Sequence, residues 1–173
     1  WLRTDANITL SVNQIKDYSE FVQHVDTYDN WANTGRTTRF DYGTVTMLMS
    51  PSVMGMARLV ITPFRNISSG SLKTTALTLN GKYVGKQYLD NTMADSRSIP
   101  SYFVANMSLS HEFDLGGSSL ALALHVANMF NNMYYADGWC YKNIIEEDGA
   151  FYDGIGIYPQ APANYMLKVS YRF

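Results

Sequence analysis

Strict alternation of apolar and polar side chains is the feature of this sequence that most constrains its fold. In the first alternating segment, Ala6, Ile8, Leu10 and Val12 are interleaved with Asn7, Thr9, Ser11 and Asn13. Because successive side chains of a β-strand point to opposite faces, a period of two predicts a strand with one apolar face. The same pattern runs through residues 56–64, 73–88, 102–113, 119–132 and 164–173. The sequence therefore predicts an all-β protein with six such strands.

The connections between these strands alternate in length. Counted back from the C-terminus they are long (134–163), tight (114–118), medium (89–101), tight (65–71) and very long (16–55). Transmembrane barrels have short periplasmic turns and long extracellular loops, so the alternation predicts a transmembrane antiparallel β-barrel crossed by about six spans. Residues 44–49 also look extended. A span there would put a long loop on the periplasmic side, so we interpret them as part of the first extracellular loop.

Composition supports strands and argues against several other classes. The 13 Tyr, 8 Phe and 3 Trp favour β-structure. The sequence has no stretch that approaches 18 consecutive apolar residues, so a transmembrane helix is not expected. A net charge of −2 without a basic block gives no indication of nucleic-acid binding. Six strands are fewer than the eight of the smallest outer-membrane barrels, and an open edge has unpaired backbone groups in lipid. We therefore expect further strands from residues outside this sequence.

Four stretches resemble the last strands of TonB-dependent outer-membrane receptors. They are KYVGKQYLDNT at 82–92, SIPSY at 98–102, HVANMFNN at 125–132 and the strand at 165–173. In that family a 22-stranded barrel encloses an N-terminal plug, which a periplasmic TonB partner moves. The resemblance implies that residues 1–173 are the C-terminal part of the barrel domain, with the plug domain outside this chain.

The resemblance also implies a function and a location. The chain would be part of an active transporter in the outer membrane of a Gram-negative bacterium, taking up a scarce nutrient with energy from TonB. We favour a metal chelate, as in iron or siderophore uptake. The implied partners are outer-membrane lipid, the plug and remaining barrel strands, the TonB complex and the barrel-assembly machinery. Neither an enzyme activity nor a cofactor is expected.

The last strand is the candidate assembly signal. Tyr165, Leu167, Val169, Tyr171 and the terminal Phe173 lie on one face, resembling the motif that the assembly machinery reads by strand addition. The alternative is an ordinary lipid-facing strand that ends the chain. On the opposite faces, Lys82, Lys86, Lys168 and Arg172 are expected to face the lumen, because a cation facing lipid is costly.

Aromatic residues in the two longest loops are the candidate ligand-binding residues. We single out Tyr28 and Trp31 in the first loop, and Trp139, Tyr141 and Tyr152 in the last loop. Loops on a rigid scaffold often carry binding residues, whereas loop packing or anchoring among lipid headgroups is the alternative. No metal site is predicted, since Met47, Met49, Met54 and Met56 suit flexible packing and the three histidines are widely separated.

Other functions remain open at this point. A complete small eight-stranded barrel with a structural or adhesive role would result if residues 44–49 and part of 17–25 were also spans. A barrel enzyme such as a lipase or protease would need a Ser/His/Asp arrangement, which we do not recognise. A soluble β-sandwich would bury the apolar rows but gives no reason for loops that alternate in length.

Overall fold

The computed structural model describes residues 1–66 and 71–173, which form β-strands and two short 3-10 helices. The strands are β1 (Leu2–Leu10), β2 (Gln14–Asp26), β3 (Ala32–Thr46), β4 (Val53–Ile61), β5 (Ala76–Val84), β6 (Gln87–Tyr88), β7 (Ser98–Ile99), β8 (Tyr102–Asp114), β9 (Ser119–Ala127), β10 (Tyr135–Ile145), β11 (Phe151–Pro159) and β12 (Asn164–Arg172). The 3-10 helices are Ser71–Thr74 and Asp95–Arg97. In the described part of the chain, no helix is long and apolar enough to cross a membrane.

The six predicted strands form one antiparallel sheet in the order β1-β4-β5-β8-β9-β12. Its register aligns the apolar rows of all six strands on one face. One row across the sheet pairs Leu2 with Ile61, Ile61 with Leu77, Leu77 with Leu109, Leu109 with Leu124 and Leu124 with Leu167. Because a slip of one residue would turn a strand's apolar row to the other face, this register confirms the predicted facing.

The opposite face of the six-stranded sheet is polar, as predicted. Asn80 pairs there with Asn106 and Arg58, and Thr78 pairs with Ser108. Lys82 on β5 and Lys168 and Arg172 on β12 lie on the same face. Lys86 is different, because it follows β5 and forms an ion pair with Asp95 in the next connection. Its assignment to a strand was wrong, since the β5–β4 ladder ends where the Gly85 amide donates to the Val53 carbonyl over 2.8 Å.

The strand predicted over 119–132 ends earlier, at Ala127. Asn128 and Asn131 have left-handed backbone angles, with φ of 49° and 53°, a conformation that asparagine tolerates better than most residues. The buried Asn128 side chain donates to the Asn132 carbonyl and accepts from the Asn132 amide, at 2.8 and 3.0 Å. The alternation of HVANMFNN therefore ends in a side-chain-stabilised turn.

The two longest predicted loops contain strands that the sequence pattern did not reveal. β2 and β3 pair as a hairpin that continues β1 and β4, and β10 and β11 pair as a second hairpin between β9 and β12. Together they form a separate four-stranded sheet in the order β11-β10-β2-β3. Residues 44–46 end β3, as expected for extended structure within a loop. Because β2 and β3 lie outside the six-stranded sheet, they do not supply the extra spans of the eight-stranded alternative.

The long connections meet at one end of the six-stranded sheet, which we call the loop end. The hairpins β2–β3 and β10–β11 and the β6–β7 connection all lie there, whereas the turn 115–118 lies at the opposite turn end. The predicted tight turn 65–71 lies partly outside the described residues. This arrangement places the long and short connections as predicted, and the number of membrane crossings stays a prediction.

Burial is concentrated at the loop end. Fully or nearly fully buried side chains there include Val22, Val25, Val45, Leu89, Ile99 and Ile144. By contrast, many large apolar residues of the six-stranded sheet are exposed, such as Ile8, Leu109, Leu124 and Leu167. The loop end thus has a small core of its own, while the sheet keeps an exposed apolar face of the kind that suits lipid.

Candidate ligand-binding surface and terminal strand

Four of the five predicted ligand-binding residues form a continuous row of rings, which we call the aromatic shelf. Ring centroids lie 4.4 Å apart between Trp31 and Tyr152, 5.3 Å between Tyr152 and Tyr141, and 5.9 Å between Tyr141 and Trp139. Tyr141 and Trp139 lie two residues apart on β10 and therefore share a face. The structure thus joins residues that are more than 100 positions apart in sequence.

Two glycines on β11 leave the space that the shelf rings occupy. Gly154 stands opposite Tyr141 in the β10–β11 ladder, and Gly156 stands opposite Trp139. A Cβ atom at Gly154 would lie 2.7 Å from the Tyr141 hydroxyl, and one at Gly156 would lie 2.3 Å from Trp139 Nε1. Both rings therefore rest directly on the β11 backbone, and any larger residue at either position must displace a ring.

Trp31 reaches the shelf from the β2–β3 turn by way of an unusual backbone. Asn30 and Trp31 have φ of 51° and 61°, and a left-handed conformation is uncommon for a bulky side chain. Such conformations cost about 1–3 kcal/mol each and persist only where surrounding contacts hold them. The Ala32 amide donates to the Asp29 carbonyl over 2.9 Å and closes this turn. Tyr28, the fifth predicted residue, is 89% exposed and lies outside the shelf.

Glu146 and Glu147 connect the tips of the two hairpins. Glu147 Oε1 accepts hydrogen bonds from the Thr27 amide and hydroxyl, at 2.8 and 2.9 Å. Desolvation alone would raise the pKa of Glu147, but these bonds and one from its own backbone lower it to about 2. Glu146 pairs with Arg36 over 2.7 Å, and its other oxygen lies 2.7 Å from Nδ1 of the buried His24 without the alignment of a hydrogen bond. These contacts hold Trp31 beside Tyr152.

A second group of ion pairs lies on the other side of the β10–β11 hairpin. The Arg97 guanidinium donates to Asp90 and Asp153, each over 2.5 Å, and to the Thr92 hydroxyl over 2.8 Å. Burial alone would raise the pKa of Asp90, but hydrogen bonds from Thr92 and Arg97 lower it. Because Arg97 belongs to the β6–β7 connection and Asp153 to β11, this cluster fixes the middle connection against the last hairpin.

Lys142 joins the two hairpins behind the shelf. Its ammonium group donates to Glu20 over 2.6 Å and to the Tyr42 hydroxyl over 2.8 Å. It also lies 4.8 Å from the ring centres of Phe40 and Phe151. Desolvation lowers the pKa of Lys142, but its bonds to Glu20 and Tyr42 outweigh this effect and raise it. Lys142 therefore stays charged and paired, and serves to position β10.

The predicted assembly signal lies on β12, an edge strand that pairs with β9 alone. Tyr165, Leu167, Val169 and Tyr171 all point to the apolar face and are well exposed, and Phe173 is 99% exposed. The Tyr171 and Phe173 ring centroids lie 6.2 Å apart. The strand thus presents a free backbone edge together with an aromatic end.

The sequence pattern indicated four of the aromatic residues of the shelf but not the glycines and ion pairs that position their rings. Gly154 and Gly156 alternate along β11 in the same period as Tyr141 and Trp139 along β10, and this paired pattern was the available signal. The Arg97–Asp153 and Lys142–Glu20 pairs had no such signal, because their partners are 56 and 122 positions apart in the sequence.

Comparison with known proteins identifies the fold. No protein-family model matches the sequence, and no curated protein matches it. Among solved structures, the chain is similar to the ferric citrate transporter FecA in the unliganded form, with 18% identity and a TM-score of 0.52 over 78% of this chain and 19% of that one. For the closed form of the ferric-catecholate import receptor Fiu from E. coli K12, the identity is 13% and the TM-score 0.56 over 99% of this chain and 18% of that one.

A third similar structure is BauA, the ferric preacinetobactin receptor from Acinetobacter baumannii. It is 18% identical with a TM-score of 0.51, over 76% of this chain and 16% of that one. The chain spans less than a fifth of the length of each of these three proteins. All are TonB-dependent receptors with outer-membrane β-barrels, and none is an enzyme. The chain therefore has the fold of a barrel segment of TonB-dependent outer-membrane receptors, which confirms the resemblance seen in its sequence.

Proposed function

We propose that this chain forms the C-terminal part of the barrel of an outer-membrane active transporter that takes up a metal chelate with energy from a TonB partner. The observation that carries the proposal is the register of the six-stranded sheet. It aligns six apolar rows on one face and gathers the long connections at one end. A strand sheet that is apolar outside and polar inside is the structure that a transmembrane barrel requires.

In this proposal the polar face lines the channel, with Lys82, Lys168 and Arg172 turned toward water or toward the plug. The free edges of β1 and β12 pair with barrel strands from the rest of the protein, because unpaired backbone groups are costly in lipid. The plug and the TonB-binding segment belong to those other residues. The loop end faces the cell exterior and meets the nutrient first.

The aromatic shelf is the proposed point of nutrient capture. The Trp139 and Tyr141 rings rest on the backbone of Gly156 and Gly154, and the Glu147–Thr27 contact fixes the two hairpin tips against each other. A surface that is fixed before binding loses little entropy when a ligand arrives. Shelf residues Trp31, Trp139, Tyr141 and Tyr152 would contact the ligand, whereas the isolated Tyr28 contributes little.

Growth of a strain lacking the complete gene tests this function. On individual ferric chelates as the sole iron source, we expect one or more chelates to support the wild type but not the deletion strain. The wild-type gene should restore growth only when TonB is present. Normal growth of the deletion strain on every iron source, together with a defect on cobalamin or a glycan, would contradict the metal-chelate assignment. Restoration without TonB would contradict active transport.

A further inference from the structure

We infer that the aromatic shelf selects a positively charged ligand, a choice of substrate class that rests on the proposed function. If the nutrient is a metal chelate, it carries a cationic group that lies on the shelf. Three properties of the loop end favour a cationic ligand: its net negative charge, the ion pairing of its Lys and Arg residues, and the exposed aromatic rings.

Charge is distributed very unevenly along the chain. Residues 11–52, 85–101 and 128–163, which make up the loop end, contain six Lys and Arg against twelve Asp and Glu. The remaining residues contain seven Lys and Arg against three Asp and Glu. The loop end therefore has a formal charge of −6 and the rest of the chain +4. A field of this sign concentrates cations at the loop end and repels anions.

Most of the few cations at the loop end already belong to ion pairs. Arg36 pairs with Glu146, Arg39 with Asp41, Lys86 with Asp95, Arg97 with Asp90 and Asp153, and Lys142 with Glu20. The pairs of Arg36, Arg39 and Lys86 lie at the surface, whereas the Arg97 and Lys142 side chains are largely buried. Five of the six loop-end cations are thus committed to internal ion pairs. The exposed Lys16 is the exception among the described residues, so an anionic chelate would meet mainly carboxylates at this surface.

The shelf itself has the chemistry that binds cations. Indole and phenol rings attract a cation over their faces, and recognition of quaternary ammonium groups uses such clusters of rings. A hydrogen bond with Tyr152 is the main cause that raises the pKa of Tyr141, so the ring stays a neutral phenol at neutral pH. Asp137 lies on the same strand face as Trp139, two residues before it, and is exposed. A ring surface beside a carboxylate provides both attractions at once.

Three chelates that share one core and differ in the charge of a single group can show whether charge or shape determines binding to the receptor. The probes are a ferric trihydroxamate with one free ammonium group, its N-acetylated neutral form and its N-succinylated anionic form. Binding to the full-length receptor in detergent is measured by quenching of tryptophan fluorescence. Each cation–π contact at an exposed site is worth about twofold to fivefold in affinity. With two or more rings engaged, we expect the ammonium form to bind about tenfold more tightly than the neutral form, and the anionic form to bind least.

Variants of the shelf identify where the preference arises. Tyr141→Leu and Asp137→Asn should each reduce the preference for the ammonium form about threefold, as expected for one exposed contact. Gly156→Val should do the same by displacing the Trp139 ring without removing it. Tyr28→Leu and Asp17→Asn, which remove an exposed ring and an exposed charge elsewhere at the loop end, should leave the preference unchanged.

The binding experiment tests the preference for a cation, whereas the growth experiment tests the transport function. Equal binding of the three chelates, tighter binding of the anion, or no saturable binding of the ammonium form would overturn the inference. So would a cation preference that survives the Tyr141 and Asp137 variants. In each of these cases, TonB-dependent growth on another ferric chelate would still uphold the transporter, while loss of that growth phenotype would refute the transporter itself.

Discussion

Leu109 offers the strongest test of which face of the sheet meets lipid. It lies in the apolar row, directly between Leu77 on β5 and Leu124 on β9, and its side chain is 45% exposed on that face. Its neighbour Ser108 points the other way, between Thr78 and His125. We expect Leu109→Arg to destabilise the barrel and Ser108→Arg to be tolerated.

The size of the effect follows from the environment of each position. An arginine that faces lipid at the midplane costs about 2–4 kcal/mol, which corresponds to about 30- to 700-fold in the folding equilibrium at 1.4 kcal/mol per factor of ten. On the polar face, the same side chain reaches water and should change the free energy of unfolding by less than about 0.5 kcal/mol. Leu109→Met keeps the volume and the apolar character, so it should cost less than about 1.5 kcal/mol.

Urea titration of the full-length receptor in lipid vesicles measures these free energies, with heat-modifiable gel mobility as the readout of the folded barrel. Leu109→Arg should shift the midpoint strongly to lower urea or prevent folding altogether. Ser108→Arg and Leu109→Met should remain near the wild type. Equal destabilisation by the two arginine variants would refute the assignment of the apolar face to lipid.

Three further predictions address assembly, topology and pH. Deleting Phe173 should lower the amount of receptor in outer-membrane fractions most, Phe173→Ala should lower it less, and Phe173→Tyr least. The reason is that the terminal aromatic ring of this edge strand is removed by the first two changes and kept by the third. Quantitative blotting that finds equal amounts of the deletion variant and the wild type would reject the assembly signal. In a Cys140→Ser background, a cysteine that replaces Asp148 should react with a membrane-impermeant thiol reagent on intact cells. A cysteine that replaces Gly117 should react only after the outer membrane is permeabilised. The reverse result would show that the topology is inverted. Glu147 has a pKa lowered from 4.5 to about 2, so its contribution to the hairpin junction is present at neutral pH and is lost as the pH falls through that interval. Spin labels at positions 29 and 148, again without Cys140, should report a narrow distance distribution at pH 7 that broadens at acidic pH, whereas Glu147→Gln should make it broad and independent of pH.

The ladder register shows why the six-stranded sheet was predictable. Each strand carries its own apolar row at period two, so the facing of Leu109 or Leu167 can be assigned without knowing its neighbours. Alternation is a local property of the chain, and a sheet with one apolar face preserves it. The strand ends were less accurate, because turns such as the one at Asn128 depend on side-chain hydrogen bonds that interrupt an otherwise continuous pattern.

The hairpins of the loop end were missed for the opposite reason. β2 and β10 are the two inner strands of the four-stranded sheet, and residues on both of their faces are partly buried, so their alternation is weak. Their stability comes from contacts between distant segments, such as Lys142 with Glu20 and Arg97 with Asp153. No window of sequence contains both partners of these pairs.

The sequence by itself determined the strand class, the facing of six strands and the aromatic residues at the loop end. Those properties depend on the order of residues within single segments, where a period of two has one structural meaning. Only the tertiary structure decided which aromatics stand together, that Tyr28 stands apart, and that Gly154 and Gly156 make room for two rings. Contacts between Trp31 and Tyr152 depend on how two hairpin tips meet, and that meeting is set by long-range packing and ion pairs rather than by any local pattern.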